Sequence, residues 1–525
     1  MMARMLSTRL VTRFPPPRLS LGLALSLSFA PALRADVRLP ALFTNSMVLQ
    51  RSVPLPIWGW ADAGEEITVS FNGQQVVTKA NADGHFIVEL APLEKVGGPH
   101  VLEVRGKNRL RIEDVLIGEV WICSGQSNME WRVSQADGAK AEVEAAQFPK
   151  IRLFTVPNVA TPHALDDVEA QWLTCTPKTV RDFSAVGYAF GRALHERLRQ
   201  GASEVPIGLI DTTWGGTPAE AWMPAAEVAK LEPCAALVAR WQKTIEKWPE
   251  AKARFDADLA AWEQDGSPRG KRPRMPQGPE HQHRPGNLWC GMVQPLVPFA
   301  MRGVIWYQGE SNASRAEQYA TIFKRMIETW REAWGRDFPF YWVQIANFQS
   351  SNMHPQAWAE LRESQSAALR LAMTGQAITI DIGTSKNIHP GNKREVGRRL
   401  SLLARRDVYG EAKLDAEGPT FRGFEVDGGE LVVRFDHADE GLVLQALKDD
   451  ARSAFEVAQD DGDFVPARAK LVGGKLRVRA EGIEAPTALR YAWRDDPAAI
   501  LFDKNGLPAA PFRSDTRPRV TAGKD

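Results

Sequence analysis

The first part of the chain alternates apolar and polar residues with the two-residue period of a β-strand. Such runs occur at residues 56–60, 67–71 and 85–90, and turn-forming glycines beside Asp or Asn separate them. Short strands at this spacing are typical of a β-sandwich. Residues 36–115 are therefore predicted to form an N-terminal β-sandwich-like domain. A carbohydrate-binding module and a domain that serves only for packing both fit this pattern, and we favour the second.

From Gly118 onward, apolar strand patterns alternate with helical periodicity. The predicted strands are residues 120–122, 151–156, 206–211, 302–307, 340–346 and 377–381, and the predicted helices are residues 183–200, 315–334, 358–371 and 392–407. This order is typical of βαβ units in a doubly wound parallel sheet, which places its site beyond the carboxyl ends of the strands. Residues 116–409 are therefore predicted to be one α/β domain. The loops expected at that edge begin after Cys123, Asp211, Tyr307 and Asp381.

An insertion at residues 224–285 interrupts the α/β pattern. Residues 237–263 are charged and amphipathic, and Pro249 is expected to divide them into two helices. Residues 267–284 are proline-rich and basic, which predicts an exposed loop. The insertion is either a helical arm that packs on the domain or a lid over a substrate cleft, and the sequence leaves both open.

Strand patterns return after the α/β region, at residues 429–435, 475–480 and 489–493. Residues 410–525 are therefore predicted to be a C-terminal β-rich region. The predicted fold class is α/β, with a doubly wound parallel sheet sandwich flanked by β-rich regions at both ends of the chain.

Composition excludes some classes of function. The 525 residues are too many for one ordinary core, and a hydrophobic share of 44% with 25% charged residues is typical of a globular protein. A net charge of +1 gives no basis for nucleic-acid binding. The four cysteines include no Cys-x-x-Cys pair, which disfavours a zinc site and leaves any disulfide pairing open.

The N-terminus has the features of a secretory signal peptide. Four arginines precede a short apolar run at residues 19–29, and small residues suited to cleavage follow it. The apolar run is too short to span a bilayer, and we expect no other membrane span. Residues 1–35 are therefore predicted to direct export to the periplasm or the extracellular space. The sequence does not indicate an oligomeric state.

The candidate chemistry begins in residues 118–129, where a strand is followed by a tight turn and a helix-like segment. A serine at such a transition suits a nucleophile, because an oxyanion can form beside helix N–H groups. The alternative is a buried serine that caps a helix. His389 follows the last predicted strand, and a serine early in the chain with a histidine late in it is compatible with α/β hydrolytic folds. His389 could equally be a capping or core residue.

Two further loops carry candidate hydrogen-bond donors. Gly215 and Gly216 could bring a backbone N–H close to a reacting oxygen because glycine has no side chain. Gln308 or Asn312 could add an amide donor. Each segment taken alone is more typical of a tight turn.

Several of these motifs occur together in one known family. The stretches that carry the resemblance are residues 47–50, 118–129, 183–192, 214–217, 306–312, 388–400 and 505–513. On these residues the chain resembles the SGNH hydrolases, and within them the sialate O-acetylesterase-like carbohydrate esterases. The resemblance implies that Ser127 is the nucleophile and His389 the base. It also implies that Gly215 or Gly216, with the region of Gln308, forms the oxyanion site.

The third member of a triad is open. Many SGNH enzymes have an acid three residues before the histidine, whereas this chain has Lys386 there and Asn387 next. Asp381 at the end of the last predicted strand is the preferred alternative. Glu310 in the neighbouring loop, or a backbone carbonyl, could orient the ring instead.

The sequence therefore predicts a serine esterase that removes O-acetyl groups from glycans through an acetyl-serine intermediate. Its substrate would be an O-acetylated oligo- or polysaccharide, either a sialate or a plant polysaccharide such as xylan or xyloglucan. We expect no cofactor and no metal, because the only close histidine pair, His281 and His283, has no obvious third ligand. The alternatives are a hydrolase of lipid or thioester substrates and a non-catalytic glycan-binding protein.

Overall fold

The N-terminal region is built from strands whose alternate side chains point into an apolar interior. A computed structural model describes residues 36–447 and 454–524, so the predicted signal peptide lies outside the described residues. The first strands are β1 (Val48–Gln50), β2 (Leu55–Trp60), β3 (Glu66–Phe71), β4 (Gln74–Lys79), β5 (His85–Leu90) and β6 (Gly97–Arg105). Strands β4, β3 and β6 form an antiparallel sheet, and β2 pairs with β5. The three strands predicted for this region are all present.

One long strand connects this region to the central sheet. Strand β7 (Arg109–Gly125) has 17 residues. Its first half pairs antiparallel with β6, and its middle pairs parallel with β1. Its second half enters the central sheet, where every residue from Val115 to Gly125 is buried. Strands β1, β3, β4 and β6 therefore share one continuous hydrogen-bonded sheet with the central strands, whereas β2 and β5 form a separate pair.

The central region alternates strands with helices, as the sequence pattern predicts. Its elements are α1 (Ser127–Glu130), α2 (Ala139–Glu144), β8 (Phe148–Thr155), β9 (Leu173–Cys175), α3 (Pro177–Val180), α4 (Ala185–Arg197), β10 (Arg199–Gln200), β11 (Ser203–Glu204), β12 (Ile207–Thr213), α5 (Ala225–Ala229), α6 (Ala235–Glu246), α7 (Trp248–Gln264), β13 (Gly303–Tyr307), α8 (Ala316–Trp334), β14 (Phe340–Val343), α9 (Ala357–Ser366), β15 (Thr374–Ala377) and α10 (Lys393–Asp407). Short 3-10 or π turns lie at Val133–Gln135, Ala219–Trp222, Glu232–Cys234, Trp289–Val293, Gln294–Leu296, Glu310–Arg315 and Ala367–Arg370.

The central strands lie in the order β15-β14-β13-β7-β12-β8-β9, and all neighbours are parallel except β8 and β9. Successive residues of β7 face opposite layers. Val120 and Ile122 belong to the apolar cluster that includes α8, whereas Trp121 and Cys123 belong to the cluster that includes α4 and α10. The sheet is therefore covered by helices on both faces, as a doubly wound arrangement requires.

The insertion contains the two helices that Pro249 was expected to separate. Helix α6 ends at Glu246, and Pro249 lies in the first turn of α7. Residues 267–277 are largely exposed, as predicted. The predicted exposure is wrong for the residues that follow, because residues 278–287 pack back on the domain and Asn287 Nδ2 donates to the Pro279 carbonyl at 2.7 Å.

The C-terminal region is β-rich, as predicted. Its strands are β16 (Thr420–Asp427), β17 (Glu430–Asp436), β18 (Leu442–Leu444), β19 (Phe455–Ala458), β20 (Val465–Val472), β21 (Lys475–Arg479), β22 (Ala488–Tyr491), β23 (Leu501–Asp503) and β24 (Phe512–Arg513). Seven of them form an antiparallel sheet in the order β16-β17-β21-β20-β19-β22-β24, and β18 pairs with β23. The described residues thus have a mixed α/β fold with a large mixed sheet and a β-rich C-terminal region.

The last parallel strand lies earlier in the chain than the sequence pattern indicated. The prediction was residues 377–381, but β15 ends at Ala377. Ile378 and Ile380, whose spacing suggested a strand, are buried in the apolar cluster of the C-terminal region instead. Asp381 therefore follows the strand by four residues and does not end it.

Two other properties of the described chain bear on the sequence-based expectations. All four cysteines are free thiols. Across residues 36–447 and 454–524, the helices are either too short or too polar to cross a lipid bilayer.

A buried carboxylate fixes the middle of β7. Glu119 is fully buried and accepts hydrogen bonds from Gln50 Nε2 at 2.9 Å, Arg51 Nε at 2.5 Å and Arg302 Nε at 2.7 Å. These partners come from β1, the residue after it, and the residue before β13. Glu119 therefore ties three segments together at the point where β7 enters the central sheet.

We predict that Glu119→Ala lowers the free energy of unfolding by about 3–5 kcal/mol, because it leaves two poorly solvated guanidinium groups unpaired. Chemical denaturation followed by tryptophan fluorescence measures the change. The control is Glu113→Ala, whose ion pair with Arg111 is exposed and should contribute less than about 1 kcal/mol. Equal stability losses in the two variants would contradict this view of Glu119.

Candidate active site

Ser127 is presented at the carboxyl edge of the central sheet by a turn that only glycine permits. Gly125 ends β7 with φ +137°, and a Cβ there would lie 2.2 Å from the Tyr307 carbonyl oxygen. The next residue, Gln126, donates its N–H to the same carbonyl at 3.0 Å and accepts from the Ser311 N–H at 3.3 Å. Helix α1 then begins at Ser127. The strand end and the loop after β13 together fix where this hydroxyl lies.

His389 lies against Ser127, although 262 positions separate them along the chain. Its Nε2 is 2.8 Å from Ser127 Oγ. Its ring stacks on Trp131 with centroids 5.0 Å apart and planes 20° apart. Burial, with a smaller contribution from Lys393, lowers the pKa of His389 below its ordinary value. A neutral imidazole at hydrogen-bond distance from a hydroxyl can accept its proton, as a nucleophile and base pair requires.

The side chain of Asn128 connects three parts of the site. It is fully buried, and its Nδ2 donates to Glu310 Oε1 at 2.6 Å and to the Ile388 carbonyl at 3.0 Å. Its Oδ1 accepts a hydrogen bond from Lys393 Nζ. Asn128 therefore joins the serine turn to the histidine loop and to two buried charged groups.

Those two charges have altered acidities because they are buried. Burial lowers the pKa of Lys393 to about 7, although Glu310 and Asp137 act in the opposite direction. Burial also raises the pKa of Glu310, against the effects of its hydrogen bonds and of Lys393. The Lys393 ammonium lies 5.3 Å from the centre of the Tyr307 ring, a favourable position for a cation. The side chains beneath the serine and histidine thus form one closely coupled polar group.

The glycine loop after β12 contacts the serine turn. A Cβ on Gly215 would lie 3.3 Å from Ser127 Cβ, so the two segments touch. The Gly215 N–H donates to Glu130 Oε2 at 2.8 Å and is therefore occupied. Gly216 is exposed with φ +72°. Within the described residues, the N–H groups of Ser127 and Gly216 donate no hydrogen bond, and both are available to a ligand oxygen.

The structure does not place the two predicted amide donors toward the serine. Gln308 is fully buried, and its Nε2 donates to the Thr217 carbonyl at 3.1 Å and to Asn312 Oδ1 at 2.7 Å. Asn312 is also fully buried, and its Nδ2 donates to Glu220 Oε2 at 3.0 Å. Both amides are used to bind neighbouring loops to one another, so their prediction as oxyanion donors does not agree with these contacts.

Contrary to the prediction, Asp381 does not hydrogen-bond the ring of His389. Its two carboxylate oxygens accept from the Arg399 guanidinium at 2.7 and 2.6 Å. Arg399 is itself buried in α10 and also donates to Glu395. In the described part of the chain, no carboxylate hydrogen-bonds His389 Nδ1. Glu310, the other predicted acid, reaches the histidine loop only through Asn128.

The end of the insertion lies beside the glycine loop. Gln282 Nε2 donates to the Gly215 carbonyl at 3.4 Å, and His283 lines a hollow together with Gly216. A hollow of about 180 Å³ separates Gly216 and Ser311 from helix α6 of the insertion. His281 and His283 are both half-buried, and the insertion forms one wall of this hollow.

Sequence reasoning did not single out Asn128, Glu130 or Lys393. Asn128 and Lys393 fall within stretches that carried the family resemblance, but nothing in their pattern distinguishes them from surface residues. Lys393 in particular opens α10, where a lysine is ordinarily solvated. Throughout residues 36–447 and 454–524, no group of three or more His, Cys, Asp or Glu side chains is arranged to hold a metal ion.

Comparison with known proteins gives consistent matches over most of the chain. The model of a family described as carbohydrate esterase, sialic acid-specific acetylesterase, matches residues 117–257 and 289–402. Human sialate O-acetylesterase is 30% identical over 94% of this chain and 96% of its own length. The mouse protein of the same name is 29% identical over 90% of this chain and 94% of its own length.

A solved structure is similar over the whole of its length. The crystal structure of a carbohydrate acetylesterase from Xanthomonas citri superposes with a TM-score of 0.77 at 37% sequence identity. The match covers 92% of this chain and 100% of that one. The similarity therefore includes the β-rich regions as well as the central sheet.

Proposed function

The chain belongs to the sialate O-acetylesterase family of carbohydrate esterases, and on this premise we propose how it removes acetyl groups from glycans. Its reaction is the hydrolysis of a carboxylic ester. We assign the chemistry to Ser127 and His389. The observation that carries this assignment is the 2.8 Å distance between Ser127 Oγ and His389 Nε2 at the carboxyl edge of the parallel sheet.

In the proposed mechanism, Ser127 Oγ attacks the acetyl carbonyl while His389 Nε2 takes the hydroxyl proton. The N–H groups of Ser127 and Gly216 then donate to the oxyanion. His389 returns the proton to the departing sugar oxygen, and an acetyl-serine remains. Water, activated by the same imidazole, hydrolyses that ester. Gly215 acts indirectly, because its bond to Glu130 holds the loop that presents Gly216.

We further propose that the central region has an SGNH-type arrangement. The support is the parallel strand order around β7 with helices on both faces, and a serine and histidine that meet where the strands end. Export through residues 1–35 to the periplasm or the extracellular space is part of the same proposal.

The proposed substrates are O-acetylated sialic acids first and acetylated xylan or xyloglucan second. The family and the curated relatives are named for sialate, which sets that order. The matched family segments leave residues 258–288 between them, and this stretch contributes His283 to the hollow beside Gly216. Selection among sugars would therefore rest partly on this chain's own insertion.

We predict that Ser127→Ala abolishes acetate release from 9-O-acetylated sialic acid, acetylated xylan and acetylated xyloglucan alike. A loss of roughly 10⁴-fold or more is expected when the nucleophile of such a pair is removed. Acetate is measured enzymatically, and the matched control is Ser134→Ala in a short turn after α1. Retained activity in Ser127→Ala would exclude the proposed nucleophile.

The same assay separates the alternatives. Strong preference for long-chain 4-nitrophenyl esters over the acetate would favour a lipid or thioester hydrolase. Binding of glycans by the wild-type chain without any acetate release would indicate a non-catalytic glycan-binding protein.

We predict that Asp381→Asn lowers thermal stability but keeps turnover within about tenfold of wild type, well short of the roughly 10⁴-fold loss caused by removal of a triad acid. The reason is that Asp381 pairs with Arg399 and not with His389. Initial rates with 4-nitrophenyl acetate and a melting curve test the two parts. A loss near 10⁴-fold with an intact melting curve would restore Asp381 as the third member.

We predict that His283→Ala raises KM for acetylated oligosaccharides by about 3–10-fold, the range expected for one lost hydrogen bond. Hydrolysis of 4-nitrophenyl acetate should be unchanged, because this small ester does not extend into the hollow beside Gly216. His354→Ala, at an exposed position, is the control. If both substrates lose activity equally, His283 acts on the chemistry and not on sugar binding.

A further inference from the structure

The histidine ring is held without an acid partner. In a serine triad, a carboxylate accepts from Nδ1 and fixes the orientation of the imidazole. Here Nε2 meets Ser127, but among the described residues no carboxylate reaches Nδ1. Other contacts must therefore fix the orientation of the ring.

The fixing contacts act on the backbone of the histidine loop. The Ile388 carbonyl accepts from Asn128 Nδ2 at 3.0 Å, and the His389 N–H donates to Asn387 Oδ1 at 2.9 Å. Trp131 covers one face of the ring. Asn128 directly follows Ser127, so one side chain ties the segment that carries the base to the turn that carries the hydroxyl.

Asn128 is itself held by two opposite charges. Lys393 Nζ donates to its Oδ1, and its Nδ2 donates to Glu310 Oε1 at 2.6 Å. Asn128 and Lys393 are fully buried, and Glu310 is nearly so. A buried amide between a cation and a carboxylate has one favourable orientation, because reversing it would place its NH₂ against the ammonium and its oxygen against the carboxylate.

We propose that Asn128 and Lys393 are positioning residues for His389 and together replace the acid of a triad. This inference rests on the proposed roles of Ser127 and His389. Asn128 fixes the position of the imidazole through the Ile388 carbonyl. Lys393 fixes the orientation of Asn128 and adds a positive charge near the ring.

That charge has the opposite effect to a triad carboxylate. A carboxylate beside the ring stabilises the imidazolium, whereas the Lys393 ammonium disfavours it and lowers the pKa of His389 in addition to the effect of burial. The base acts in its neutral form, so activity rises with pH through the pKa of His389. Removing the Lys393 charge must therefore move the acidic limb of the pH–rate profile to higher pH.

The charged groups around this pair come from three segments. Lys393 in α10 is the charged side chain that acts on His389. Glu310, from the loop after β13, and Asp137, from the segment before α2, act on Lys393 and favour its charged form. Lys393 is therefore the residue whose substitution should move the acidic limb of the pH–rate profile.

The test compares Lys393→Met with Lys386→Met across the pH range, using kcat/KM for 4-nitrophenyl acetate. Lys386 lies three residues before His389 but is exposed, so solvent screens its charge. We expect the acidic limb of Lys393→Met to move to higher pH and that of Lys386→Met to stay in place. A well-folded Lys393→Met with an unmoved limb would overturn the role of the cation.

The positioning half is tested by Asn128→Ala. We expect kcat to fall about 10²-fold, the effect of a misplacement near 1 Å, with KM almost unchanged. An unchanged kcat in the folded variant would overturn the role of Asn128. If Lys393→Met does not fold, Lys393→Gln replaces it, because it also removes the positive charge, keeps a polar group beside Asn128, and should move the limb to higher pH.

Failure of this inference and failure of the proposed function give different results. If Ser127→Ala remains active, the proposed mechanism is wrong and His389 needs no positioning. If Ser127→Ala is inactive but the Asn128 and Lys393 variants behave like wild type, the mechanism stands and only the positioning role is lost.

Discussion

The hydrogen-bonded continuity of strand β7 is the constraint on which the rest of the fold depends. Its 17 residues pair first with N-terminal strands and then with β12 and β13, so both parts of this one sheet share its register. Glu119 holds the transition by neutralising cations from two other segments. Because the strand ends at Gly125 against the Tyr307 carbonyl, the position of Ser127 follows from backbone pairing and not from side-chain packing.

The histidine reaches the same place by a different route. Its loop runs from the end of β15 to the start of α10, and the ordering contacts are made by Asn128, Asn387 and Trp131. A carboxylate at Nδ1 would orient the ring directly but would also make the imidazole more basic. The proposed arrangement separates the two effects, because backbone anchoring supplies orientation while burial and the nearby cation lower the pKa of the imidazole.

Strand and helix positions were largely predictable because burial imposes periods of 2 and 3.6 on the sequence. Residues 377–381 show the limit of that rule. Ile378 and Ile380 are buried because they pack against the C-terminal region, and they do not belong to a strand of the central sheet. The family resemblance is confirmed, and the serine and histidine that it implied do meet. Asp381, Gln308 and Asn312 were not placed correctly, since chain position cannot tell which partner satisfies a buried polar group. For the same reason, the burial of Lys393 could not be predicted from the sequence.

The burial of Ile378 and Ile380 against the C-terminal β-strands has a consequence for attempts to obtain a minimal catalytic unit. These two side chains immediately precede the segment that leads to His389. Deleting the residues after 409 would expose these apolar side chains to solvent, directly before the loop that carries His389. The C-terminal residues therefore support the segment that leads to His389. Removing them is expected to cause aggregation before a loss of catalysis can be measured.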